Sequence, residues 1–185
     1  SFFNPVDYGM KHHVALASVR AGNVIGGGDW ALDRIIPDCI KALEAGKDID
    51  IRSPKAIRPW QHVLEPLSGY MLLATKMWEE PTKYCEGWNF GPRAESITPV
   101  WDIATDVIKI YGSGKLNDMS NPNVLHEAKL LMLDISKAKF QLGWEPRMNI
   151  HRCIELTVDW YKRYKTEDAY DICLDEINQI GRAHV

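Results

Sequence analysis

The sequence predicts an α/β or α+β domain on three observations: short apolar runs bounded by glycine, amphipathic stretches of helical period between them, and enough apolar residues to close a core. The order of these segments does not by itself fix the sheet. Of 185 residues, 45% are hydrophobic and 25% charged, which excludes a disordered or collagen-like chain and suffices for one domain or most of one. Lys and Arg number 22 against 25 Asp and Glu, a formal charge of −3 with no long run of one sign. That balance argues against a nucleic-acid-wrapping or polybasic membrane-surface protein. No window approaches the run of about 18 apolar residues that a membrane span needs. The opening Ser-Phe-Phe-Asn-Pro has no basic stretch leading into an apolar one, so a cytoplasmic protein is expected.

Taken in order, residues 15–20 form a short apolar run with Val14, Leu16 and Val19, which reads as a buried strand because Gly22 and then Gly26, Gly27 and Gly28 close it off. Residues 33–45 predict a helix: Ile36, Cys39, Ile40 and Leu43 recur at helical spacing, Pro37 is tolerable in a first turn, and Gly46 supplies a stop. Residues 48–52, Asp-Ile-Asp-Ile-Arg, alternate as a half-buried strand. A second helix is expected over 63–79, with Pro66 in its first turn and Leu67, Tyr70, Met71 and Ala74 on one face. Residues 87–91, aromatic and bounded by glycines, predict a strand entering a tight turn.

Thr98 and Pro99 supply an N-cap and first helical position for a stripe of Val100, Ile103, Ala104, Val107 and Ile108 that ends at Gly112. Residues 113–123 are polar and read as an irregular loop, and 130–133 form a short apolar run. Ser136 can cap a helix stopping at Gly143. Asn149 can cap another, with Ile150, Cys153, Ile154, Thr157, Val158 and Tyr161 on one face.

Few residues announce chemistry by spacing alone. Cys39, Cys85, Cys153 and Cys173 form no Cys-x-x-Cys pair and read as reduced, mostly buried thiols. The six histidines are scattered, with neither metal-ligand nor Ser-His-Asp spacing. Gly26-Gly27-Gly28-Asp29-Trp30-Ala31 fits Gly-x-Gly-x-x-Ala, with Asp48 and Asp50 about 20 residues on, as in a dinucleotide fingerprint. Yet Asn23-Val24-Ile25 separates these glycines from the strand and the helix starts late, so a plain glycine loop is the stronger reading. Arg58, in Arg58-Pro59-Trp60-Gln61-His62, offers a planar fork suited to a diphosphate, the alternative being a solvent-exposed or carboxylate-paired arginine. His62 reads as a capping or core histidine.

The string from Ser18 to Trp30 resembles the Arg-x-x-Asn-Val-x-Gly segment of extended short-chain dehydrogenases/reductases that act on nucleotide sugars. Three further strings follow in that family's order: Ile57 to Tyr70, Gly87 to Arg93, and Leu133-Asp134-Ile135-Ser136-Lys137-Ala138 with Leu142-Gly143-Trp144-Glu145-Pro146. The Gly-Gly-Gly-Asp-Trp and Arg-Pro-Trp-Gln-His forms are narrower and resemble the branch acting on CDP-glucose.

The resemblance implies an α/β fold: the C-terminal part of an extended short-chain dehydrogenase/reductase Rossmann fold, mainly its substrate-binding lobe, over residues 1–179. Residues 180–185 fit nothing in the family and are expected to be an artefactual tail. In the family, the dinucleotide fingerprint, the Tyr-x-x-x-Lys pair and the acidic pair that handles dehydration all precede the position matching Ser1. Tyr8 is followed four residues on by His12 rather than Lys, so no catalytic residue is assigned.

By resemblance, Ala21 and Gly22 would pass the nicotinamide ring of NAD, and Asn23 would bond substrate phosphate or sugar. Arg34 would reach the nucleotide, Arg58 would grip the diphosphate, and Asn89 would lie near the nucleotide end. Arg93 and His126 would lie where the pocket closes. The implied enzyme is a lyase and a homo-oligomer when intact, with this chain alone inactive. A sister dehydratase or epimerase acting on another nucleotide sugar, or a non-catalytic nucleotide-sugar-binding module, are the alternatives.

Overall fold

A computed structural model describes residues 3–121 and 132–182, which form an α/β structure. A 3₁₀ turn, Pro5–Asp7, precedes strands β1 (Ser18–Ala21) and β2 (Asn23–Ile25), then helix α1 (Ile35–Glu44). Strands β3 (Ile49–Ile51), β4 (Ile57–Arg58) and β5 (Trp60–His62) lead into α2 (Leu64–Glu79). Strand β6 (Gly87–Phe90), the short β7 (Thr98–Pro99) and α3 (Val100–Tyr111) follow, then β8 (Leu116–Asp118). A π-helical turn, Ala138–Leu142, and helices α4 (Ile150–Arg163) and α5 (Ala169–Arg182) complete the described residues.

The strands pair two by two. β1 runs parallel to β6 with Ser18 opposite Gly87, β2 parallel to β5 with Asn23 opposite Trp60, and β3 parallel to β8 with Ile49 opposite Leu116. β4 and β7 pair antiparallel. Buried Gln61 ties two of these pairs together, its Nε2 donating to the Phe90 carbonyl at 2.9 Å.

The larger core gathers the buried faces of α1, α3 and α4 around Ile25, Ile49 and Ile51. It includes Ile36, Cys39, Ile40 and Leu43 from the first predicted stripe and Ile103, Ala104 and Val107 from the next. A second cluster packs Trp88, Phe90, Leu73, Leu142 and Trp144 between β6, α2 and the π-helical turn. The Asn149 side chain accepts the Arg152 N–H at 2.9 Å, capping α4 as expected. Cys153, Ile154, Thr157, Val158 and Tyr161 are all buried.

Several expectations are corrected. β1 is not a buried strand: Ser18, Val19 and Arg20 are exposed, because β6 is its only strand partner among the described residues. Thr98 and Pro99 do not cap α3 with a side chain; they pair with Arg58 and Ile57, and the backbone ladder takes the place of the cap. The polar loop at 113–123 contains β8, whose Leu116–Asp118 backbone is claimed by β3. The apolar run at 130–133 and His126 fall wholly or partly outside the described residues. No described helix is long and apolar enough to cross a membrane.

Candidate functional site

A cleft of about 450 Å³ runs along β2, between the loop that follows it and the first turn of α1. Asn23, Val24 and Ile25 form one wall, and Ile35, Ile36 and Pro37 another. Gly22 and Trp60 lie at the β2–β5 side, and Asp29, Asp33 and Arg34 at the side of the loop. Of the residues predicted for ligand contact, the fold therefore gathers Gly22, Asn23 and Arg34 in one place.

Why they meet there follows from the backbone. Gly22 is dictated by its neighbour: a Cβ at this position would lie 2.5 Å from the Pro59 carbonyl oxygen, so only glycine lets β1 cross beside the residues preceding β5. Its N–H is held by the Phe90 carbonyl at 3.2 Å. Asn23 then opens β2 opposite Trp60, half-buried. Asp33 adopts φ 60°, a left-handed conformation that Asp tolerates better than most residues, and this bend brings Arg34 to the start of α1.

Arg34 carries the positive charge of the cleft. Its Nη1 lies 3.2 Å from Asp29 Oδ2, while Asp29 Oδ1 accepts the Ala31 N–H at 2.9 Å. The Arg34 side chain is 62% exposed, so the pair is weak in stability terms and the guanidinium can be reached from solvent. The N-terminus of α1, on the same wall, adds partial positive charge. The cleft also holds the carboxylates of Asp29, paired with Arg34, and Asp33, paired with Arg52, so an anionic, oxygen-rich ligand would meet a guanidinium, a side-chain amide and a helix N-terminus beside two carboxylates already engaged by arginines.

The other predicted residues lie elsewhere. Arg58 is half-buried on β4, its Nη1 donating to the Ile57 carbonyl at 2.9 Å, and it is not among the residues lining this cleft. Asn89 donates to the Asp134 carbonyl at 3.2 Å, and Arg93 Nε donates to the Pro146 carbonyl at 2.8 Å. Both thus join the β6 region to the segments around the π-helical turn. Ala21 ends β1 opposite Phe90. His62 is a core residue: it is wholly buried, its Nδ1 accepts the Leu64 N–H at 3.4 Å, and burial, helped by the Arg152 charge, pushes its pKa down to about 4. Burial pushes the Cys39 and Cys153 thiols up to about 12, which keeps them protonated and inert.

The glycine triplet is not a phosphate cradle. A Cβ on Gly27 would sit 2.0 Å from the Trp160 ring, so the space a pyrophosphate would need is filled by an indole of α4. Moreover, α1 begins only at Ile35, well past the glycines. Of the two residues expected beside NAD, Gly22 lines the cleft and Ala21 does not. Asp29 and Asp33 also line the cleft, though the sequence does not mark them as site residues. Asp29 lay within the glycine motif, but no local spacing shows that its partners are Arg34 and, far along the chain, Tyr161.

No family model matches the chain. It is 48% identical over 173 residues, 94% of its length, to CDP-glucose 4,6-dehydratase of Salmonella typhimurium, and those residues span 48% of that protein. Among solved structures, dTDP-glucose 4,6-dehydratase from Bacillus anthracis, in complex with NAD, is similar with a TM-score of 0.68 and 18% identity, over 86% of this chain and 48% of that one. UDP-glucuronic acid 4-epimerase from Bacillus cereus, in complex with UDP-glucuronic acid and NAD, is similar with a TM-score of 0.67 and 22% identity, over 86% and 49%. The fold is that of extended short-chain dehydrogenases/reductases, and the chain spans about half the length of the relatives it matches.

Proposed function

We propose that this chain is the nucleotide-sugar-binding part of a CDP-glucose 4,6-dehydratase, an NAD-dependent lyase that converts CDP-D-glucose to CDP-4-dehydro-6-deoxy-D-glucose and water. The observation that carries the reading is the meeting of Asn23 and Arg34 in one cleft, in a chain 48% identical to such a dehydratase. In this reading Arg34 and the N-terminus of α1 receive the charged nucleotide end, and Asn23 orients the phosphate or sugar. Arg58, on β4 outside the lining of this cleft, is assigned to the diphosphate by resemblance alone. Asn89 and Arg93 fix the far rim, and His126 belongs to the same rim by resemblance.

NAD supplies the redox chemistry when bound, taking up hydride and returning it. The chain's own part is binding energy and orientation, realised at a distance from the reacting carbons. The reading places the protein in the cytoplasm as a homo-oligomer when intact. The chain alone is expected to release no 4-keto product from CDP-glucose and NAD.

Isothermal titration of the chain with CDP-glucose, UDP-glucose, dTDP-glucose and glucose 1-phosphate tests the proposal. CDP-glucose is expected to bind best, and Arg34→Ala to weaken it about 10-fold, roughly 1.4 kcal/mol. Equal affinity for all four, or no effect of Arg34→Ala, would overturn it. A preference for UDP- or dTDP-glucose would reassign the substrate within the same class.

A further inference from the structure

The loop that carries Asp29 is fixed from outside the cleft by one face of α4. Gly27 lies directly on the Trp160 indole, where no side chain fits, and Gly28, at φ 79°, would place a Cβ 3.5 Å from the same ring. Trp160 stacks on Tyr164 with ring centroids 5.5 Å apart and an interplanar angle of 7°, so the indole has a firm backing. One turn surface further along the loop, the Tyr161 hydroxyl donates to the Asp29 carbonyl, and Trp30 meets the Tyr161 ring edge-on at 5.1 Å.

The contacts continue into the cleft. Asp29, anchored through its carbonyl, turns its carboxylate to the Ala31 N–H and to Arg34. An exposed arginine has many rotamers to lose when it meets a ligand, and a partner that already holds it reduces that loss. Burial, with the Asp29 charge next in weight, pushes the Tyr161 phenol up to about 12, so it remains a donor throughout the working pH range.

We infer that Tyr161 is a positioning residue of the cleft: its hydroxyl fixes Asp29, and the Asp29 carboxylate in turn presents the Arg34 guanidinium to the ligand's diphosphate. The inference rests on the nucleotide-sugar reading given above. It assigns to α4, which does not line this cleft, a part in ligand affinity that a purely core helix would not have.

Tyr161→Phe removes the hydroxyl and keeps the ring that the core packs against. Thr157→Val is the control: the Thr157 hydroxyl, also buried on α4, bonds within its own helix, to the Cys153 carbonyl at 2.8 Å. Melting curves and titration with CDP-glucose are recorded for both variants, for Arg34→Ala, and for Tyr161→Phe combined with Arg34→Ala. Tyr161→Phe is expected to weaken binding about 5-fold in the parent chain and less than about 2-fold when Arg34 is already absent. Thr157→Val is expected to lower the melting temperature as much, with affinity unchanged within about 2-fold.

Equal effects of Tyr161→Phe with and without Arg34, or an equal loss of affinity in Thr157→Val, would show that the hydroxyl acts only on stability. Binding that depends on Arg34 and is indifferent to Tyr161 overturns this inference and leaves the ligand reading standing. A parent chain that does not bind CDP-glucose overturns both.

Discussion

Glu176 on α5 faces His62 on β5 across 3.9 Å, with the histidine wholly buried and the carboxyl nearly so. Among the described residues, neither His62 Nε2 nor Glu176 Oε1 has a hydrogen-bond partner. Burial raises the Glu176 carboxyl from 4.5 to about 7, Asp159 adding to the shift while Arg163 and Arg152 oppose it. Burial, with Arg152, takes His62 from 6.5 down to about 4.

The two shifts act in opposite directions on stability. Between about pH 4.5 and 7 the folded chain keeps a proton on Glu176 that the unfolded chain releases, so this contribution is full below 4.5 and lost as pH rises through 7. The contribution of His62 is present above 6.5 and lost as pH falls through about 4. Where the windows overlap, the slopes offset one another. Glu176→Gln is therefore expected to match the parent near pH 4.5 and to exceed it by about 3 kcal/mol at pH 8. Urea denaturation at pH 4.5, 6 and 8 checks this, and a constant offset at all three values contradicts it.

Gly27→Ala is expected to destabilise the chain by about 1–3 kcal/mol, because the new methyl meets the Trp160 ring, backed by Tyr164. Its tryptophan emission should change as the indole is displaced. Gly46→Ala serves as the comparison, since Gly46 is left-handed, at φ 64°, with open space around it. Its cost is the backbone term alone, about 1–2 kcal/mol, with the emission spectrum unchanged.

Glu65 is a buried carboxylate whose Oε1 accepts the N–H groups of Arg147 and Met148 at 2.9 and 2.7 Å. Glu65→Ala leaves both donors unpaired and is expected to cost about 2–4 kcal/mol in urea denaturation. Glu65→Gln retains an acceptor oxygen and should cost about 1 kcal/mol. Equal losses for the two substitutions would mean that the carboxylate charge, not its acceptor role, holds the 146–149 segment.

Arg58→Ala is expected to weaken CDP-glucose binding at least about 10-fold, and Arg58→Lys to recover only part, since the ammonium lacks the planar fork. Titration of the two variants beside Arg34→Ala measures the division of labour. If Arg58→Ala leaves affinity within about 2-fold, the arginine serves the β4–β7 pair and Arg34 alone meets the diphosphate.

The helices were the legible part of this fold, because their signal is local. The stripe Ile36, Cys39, Ile40, Leu43 and the cap at Asn149 each lie within a few residues of one another, and both elements formed as expected. The short strands were harder. Leu116–Asp118 carries no apolar pattern of its own and is a strand only because β3 offers it a ladder, which no window around residue 116 contains. The α5 helix, with Ile172 and Glu176 inward, gives no clear sequence signal because a buried Glu breaks the apolar stripe.

The site divides in the same way. Gly22, Asn23 and Arg34 could be found because they stand in or beside one string of sequence. Asp29 acquires its setting from Tyr161, a residue on a helix that begins only at Ile150.

The pairing of every described strand with a partner far along the chain has a consequence for how the protein is made. β1 meets β6 and β3 meets β8, so no described strand can be satisfied by the segment that follows it at once. At a synthesis rate of about 5–20 residues per second, Ser18–Ala21 waits several seconds for Gly87–Phe90 to emerge from the ribosome. Among the described residues, β1 has no other strand partner during that interval, and an unpaired strand is the kind of surface that pairs with neighbouring nascent chains. Helix α1 is completed first, the β2–β5 ladder can close before α2 emerges, and the β1–β6 and β3–β8 ladders follow it.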